Sequence, residues 1–114
     1  MKTNEYGAQI DRNGYAPSVV ESDQTRCMLC GKRNCKLDRH EPFNGPLREK
    51  SKRLGMWVLI CHECHQGTDG AHSSGSKARK LKAITQYSAM KHYGWSMQDW
   101  HRMFGKSFLD DSDL

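Results

Sequence analysis

The sequence predicts a small α+β fold in which a zinc-stapled core is followed by two C-terminal helices. Three observations carry that expectation. The chain has 114 residues, the length of one domain. Only 36% of them are hydrophobic, so burial alone offsets little of the conformational entropy and a staple is needed. Five Cys and six His supply one, with four of the cysteines spaced as Cys27-x-x-Cys30 and Cys61-x-x-Cys64.

Residues 1–22 carry Gly7, Gly14 and Pro17 among polar residues without periodicity, and are expected to form a flexible N-terminal segment. The domain proper is expected over residues 23–109, with an acidic tail over 110–114. Cys27-Met28-Leu29-Cys30-Gly31 has the form of a zinc knuckle, in which two residues turn both sulfurs toward one metal and Gly relieves the turn. Leu37 to Glu41 is expected as a short strand, broken by Pro42, Asn44, Gly45 and Pro46, with a loop from Arg48 to Gly55. Met56 to Ile60 is β-branched and aromatic and is the best strand in the chain. Cys61-His62-Glu63-Cys64-His65 should open a short helix or turn. A longer helix is expected from about Lys77 to His92, stopped by Gly94. Ser96-Met97-Gln98-Asp99 resembles a capping box with Asp in place of Glu, and starts a last helix bearing Met97, Trp100, Met103 and Phe104.

Four thiolates make a closed tetrahedral site, which is structural zinc rather than a site with an open position for chemistry. Cys35 is the spare. A redox use of the Cys pairs would require a thioredoxin-like βαβ setting that the chain lacks. Near the zinc pairs stand His40, Glu41 and His65. If the metal draws both pairs together, two imidazoles and a carboxylate meet, a set able to hold a divalent ion or activate a water.

The charge is segregated. From Arg26 to Arg53 there are nine Lys and Arg against three acids, and from Lys77 to Lys91 five with no acid. Positive charge so arranged suits a polyanion, and nucleic acid is the expected partner. The longest apolar run, Met56 to Cys61, is far short of the roughly 20 residues that span a bilayer, so no membrane partner is expected. The opening Met1-Lys2-Thr3-Asn4-Glu5 has no apolar stretch of a signal peptide, which points to the cytoplasm and to reduced thiols.

Taken together, Cys27-x-x-Cys30, then Leu37-Asp38-Arg39-His40-Glu41-Pro42-Phe43-x-Gly45, then Gly55-x-Trp57-Val58-Leu59-Ile60-Cys61-x-x-Cys64-His65 resembles the HNH endonucleases. The likeness is to the small form common in bacteriophages and prophages. It extends through Gly70-Ala71-His72, the basic helix and the Phe104-to-Leu109 ending, and so covers about residues 25 to 109. The resemblance implies a ββα-metal, treble-clef-like finger that cuts DNA phosphodiester bonds with Mg²⁺ or another divalent ion, beside a four-cysteine zinc site. It further implies a bacterial host cytoplasm and phage proteins as partners.

In the family pattern the first strand ends in a pair, commonly Asp-His or His-His, whose first member binds metal and whose second is the base. Here the pair is His40-Glu41. By position His40 resembles the ligand and Glu41 the base, and the swapped assignment is chemically open as well. His65 resembles the second ligand, and His72 is a further candidate for a ligand or phosphate contact. The middle Asn of the pattern is missing, with Asn44 nearby in the intervening loop. Arg39, Arg48, Lys50, Lys52, Arg53, Lys77, Arg79 and Lys80 are the candidate DNA contacts. A module of another class, a zinc-stabilised nucleic-acid-binding domain without catalysis, accounts for Glu41 and the absent Asn more simply.

Overall fold

A computed structural model describes residues 2–20, 23–66 and 75–110. Its elements are β1 (Leu37–His40), α1 (Arg48–Arg53), β2 (Val58–Cys61), α2 (His62–Gln66), α3 (Gly75–Tyr93) and α4 (Met97–Phe104). The strands form a two-stranded antiparallel sheet in which Leu37 pairs with Cys61 and His40 with Val58. Small α+β is therefore the observed class.

A two-stranded sheet is marginal alone, and here both ends of it are held. One hydrophobic cluster joins Val20, Cys27, Val58, Ile60, Cys61, Cys64 and Leu81, so three of the four paired cysteines are core residues. A second joins Phe43, Leu54, Met56, Ala89, Met90, Trp100 and Phe104, and seats the C-terminal helices. Rings dominate it: Trp100 stacks on Phe104 with centroids 4.4 Å apart, and Phe43 meets Trp100 edge-on at 5.2 Å.

Three expectations are corrected. The expected loop from Arg48 to Gly55 contains α1. Pro46 precedes it, Glu49 lies in its first turn and Lys50, Lys52 and Arg53 in its last, as the helix dipole favours. The buried Ser51 hydroxyl bonds the Phe43 and Leu47 carbonyls, both at 2.9 Å, tying the helix to the turn before it. These anchors are polar, so no apolar period announced the helix. The second strand begins at Val58 rather than Met56 and runs through Cys61. Met56 instead bonds Ser51 and packs wholly buried in the second cluster.

The third correction is the N-terminal segment, which is a docked strap. The Asn4 side chain donates to the Arg53 carbonyl at 2.7 Å and accepts from the Tyr6 and Ala8 amides. Ala16 N–H reaches the Lys52 carbonyl and Val19 N–H the Gly55 carbonyl, both at 2.9 Å. Trp57 Nε1 donates back to the Ala16 carbonyl at 2.8 Å. Tyr6 packs on Tyr93 with centroids 4.3 Å apart. Backbone pairing of this kind leaves no trace in hydrophobic pattern, which is why the segment reads as loose. Of the expected acidic tail only Asp110 is described, and it is exposed.

The C-terminal helices follow the expectation closely. α3 extends the expected helix by two residues at its start and one at its end. At α4 the Ser96 hydroxyl accepts from Asp99 N–H and the Asp99 carboxylate accepts from Ser96 N–H, a complete capping box with Asp at the third position. The buried Gln86 of α3 holds the segment after α4, donating to Ser107 Oγ at 2.8 Å and accepting from Phe108 N–H at 2.7 Å.

Candidate functional site

Cys27 and Cys30 are set by a tight turn. Gly31 adopts φ +76°, its N–H bonds the Cys27 carbonyl at 2.9 Å, and Cys27 N–H bonds the Lys32 carbonyl at 3.0 Å. Met28 N–H donates to the Leu59 carbonyl, which lays the knuckle against β2. Cys61 ends β2 and Cys64 lies one turn into α2, so the strand-to-helix junction brings the second pair to the first. The sulfurs of Cys27, Cys30, Cys61 and Cys64 all lie within 4.8 Å of one another. This set can hold a metal ion, and four thiolates from two Cys-x-x-Cys turns fit zinc. Burial opposes ionisation of Cys27, yet backbone N–H groups of Cys30, Cys61 and Leu29 hold its thiol down at about 6. Burial and the neighbouring cysteines push Cys64 the other way. A divalent ion at the cluster would favour the thiolate form of all four sulfurs. Cys35 stands apart, half-buried beside the Lys32 carbonyl.

The junction places a second group. His62 and His65 are one turn apart on α2 and therefore share a face, which looks back onto β1. On β1, Asp38 and His40 share a face because side chains alternate along a strand. The two faces meet: Asp38 Oδ2 lies 3.1 Å from His62 Nδ1 and 3.2 Å from His65 Nδ1. The His40 and His65 rings pack edge-on at 5.2 Å. Burial works against the Asp38 charge, but hydrogen bonds from His65 and His62 prevail and hold its carboxyl below the usual range.

Glu41 is engaged elsewhere. Its Oε1 accepts from the Tyr15 hydroxyl and from Arg48 Nε, the latter at 3.3 Å. Burial, then the Glu41 bond, raises the Tyr15 phenol, and the Glu41 charge raises Arg48. The strap thus delivers Tyr15 to the end of β1.

Most of the expected DNA contacts already have protein partners. Arg39 points away from His40, its guanidinium 4.0 Å from the Tyr15 ring and 4.4 Å from the Trp57 ring. Lys52 is buried, over Tyr15 and 3.6 Å from Glu49, so it is not a surface phosphate contact. Lys50 donates to the Met103 carbonyl at 2.6 Å, and Arg53 pairs with Glu5 at 2.7 Å. Arg48 is half exposed beside Glu41. On α3, Arg79 and Lys80 are exposed and Lys77 is half-buried. Asn44 is exposed and caps nothing with its side chain. His72, with Gly70 and Ala71, lies outside the described residues.

Among the described residues, the four cysteines are the one group of three or more His, Cys, Asp or Glu whose donor atoms lie mutually close enough for an ion. His40, Glu41 and His65 do not form a second such group. Asp38, His62 and Tyr15 were not singled out from sequence. The period of two before His40 and the spacing of three before His65 are the signals that mark Asp38 and His62. Nothing local marks Tyr15, which lies 26 residues from its partner. No described helix is long and apolar enough to cross a membrane. Compared with known proteins, the chain matches no family model, no curated protein sequence and no solved structure.

Proposed function

We propose that the chain is an HNH-type endonuclease that hydrolyses DNA phosphodiester bonds with a divalent metal. The observation that carries this is the meeting of His40 and His65, at 5.2 Å, across a strand-to-helix junction anchored by four clustered cysteines. Zinc held by Cys27, Cys30, Cys61 and Cys64 has a structural role. A bound Mg²⁺ or Mn²⁺ would stabilise charge on the scissile phosphate and the leaving oxygen. His65 is its expected ligand.

Of the two assignments for the His40-Glu41 pair, we adopt the swapped one. Glu41 Oε1 is already taken by Tyr15 and Arg48, so in this assignment an ion would have to use the other carboxylate oxygen. His40, buried at the end of β1, then takes the proton from the attacking water. Arg48 stands half exposed next to this group and would meet a phosphate oxygen. Arg79 and Lys80 would contact the flanking backbone, so binding should weaken steeply with salt. The setting in this reading is DNA in a bacterial host cytoplasm, with phage proteins as further partners.

Zinc-loaded protein incubated with supercoiled plasmid and Mg²⁺ or Mn²⁺ tests the proposal. Nicking or linearisation is expected, falling by roughly 10²- to 10⁴-fold in His40→Ala with zinc content unchanged. A wild type that cuts nothing with any divalent ion overturns it. That result would favour a zinc-stabilised DNA-binding module, a reading to which the engaged Glu41 also lends itself. Such a module would show salt-sensitive binding without cleavage.

A further inference from the structure

We propose that Asp38 is a positioning residue of this site, fixing which nitrogen of His65 is offered to an ion or a water. The inference rests on reading His65 as a working imidazole, and it goes beyond that reading by naming what orients the ring. An ionised carboxylate has only lone pairs to offer, so the contact between Asp38 Oδ2 and His65 Nδ1 at 3.2 Å places the proton on Nδ1. A neutral imidazole protonated at Nδ1 carries its lone pair on Nε2. The Asp38 carboxylate and the His65 ring are both mostly buried, with 18% and 13% of their side-chain surface exposed, so the pair is shielded from competing water.

His62 makes the same kind of bond to the same oxygen at 3.1 Å, but its side chain is 71% exposed. Water replaces such a donor readily. The buried pair and the exposed pair therefore differ in consequence: losing His62 leaves the Asp38–His65 bond in place, whereas losing Asp38 removes the carboxylate from Nδ1 of both rings. The geometry is that of a carboxylate behind a metal-ligating histidine, where the outer partner sets the tautomer and ring angle. The backbone supplies it by two periodicities meeting, two along β1 and three along α2.

The test uses zinc-loaded, ¹⁵N-labelled protein near pH 8, with imidazole tautomers read from long-range ¹H–¹⁵N correlations. Wild-type His65 is expected with its proton on Nδ1. In Asp38→Ala the Nδ1–H population should fall severalfold, while Asp38→Asn, which keeps an acceptor oxygen and the side-chain size, should retain most of it. His62→Ala should leave His65 unchanged. Mn²⁺ affinity, measured on the same samples without DNA, should fall about 10- to 100-fold in Asp38→Ala and stay within about 2-fold in His62→Ala. Finding wild-type His65 protonated on Nε2, or a tautomer indifferent to Asp38→Ala, overturns the proposal. A wild type with Nδ1–H that binds no Mn²⁺ supports the positioning role and counts against the nuclease instead.

Discussion

Gly55 sits where the strap crosses the end of α1, at φ +71°, and its carbonyl accepts from Val19 N–H. A Cβ there would lie 2.0 Å from the Pro17 carbonyl oxygen, which is backbone and cannot swing aside. Gly55→Ala therefore meets both a strained backbone and a clash, and should cost at least about 2 kcal/mol. Urea denaturation reads this directly; a loss under about 0.5 kcal/mol would mean the strap is not docked as described. The same close approach explains why Trp57 can donate to Ala16 and why Tyr15 arrives at Glu41. Single atoms decide the site in the same way, as at Asp38, where one oxygen receives two imidazoles.

At the level of elements, α2 does the most with the least. Its five residues present Cys64 to the sulfur cluster and His62 and His65 to β1. So short a helix has little stability of its own, and a metal ion held by the four cysteines would pin its start. α4 is stabilised differently, by its capping box. Replacing Ser96 with Ala should cost about 1 kcal/mol, read from the thermal midpoint. The backbone N–H and hydroxyl of Ser96 and the Arg102 guanidinium hold the Asp99 carboxyl below its ordinary 3.8. A depressed carboxyl contributes stability above its unfolded value and loses it as pH falls through the folded one. Acid titration below about pH 4 should therefore narrow the difference between wild type and Asp99→Asn; a difference unchanged from pH 7 to pH 2 would contradict this.

Over the whole molecule, the two hydrophobic clusters have unequal means of support. The aromatic cluster around Trp100 is ordinary burial, but the cluster around Ile60 includes three cysteines of the metal set. Without an ion, that core holds free thiols, and only the Met28–Leu59 backbone bond and the packing of Met28 and Leu29 draw the knuckle onto β2. Structural zinc sites of this kind contribute roughly 10–16 kcal/mol of apparent binding free energy, more than the whole stability of most domains. One zinc per chain is expected by metal analysis. A strong chelator should abolish the His40–His65 proximity, seen as loss of their dispersed NMR signals, and re-addition of zinc should restore it. Retention of the folded spectrum without metal would show that burial suffices.

What could be read from the chain were the features whose physics is local. Cys-x-x-Cys places two sulfurs on one side of a turn wherever it occurs. Ser96 to Asp99 caps a helix by itself, and the run into Cys61 favours a strand from its own side chains. The four-cysteine cluster and the C-terminal helices were therefore legible, and so was the nearness of His40 to His65 once the metal was granted. The strap, the helix α1 and the engagement of Arg39, Lys50, Lys52 and Arg53 were not. Each depends on a partner tens of residues away or on a backbone carbonyl, and a carbonyl has the same identity at every position. Residue types fix what a side chain is able to bond; only the folded chain decides which of those bonds is made.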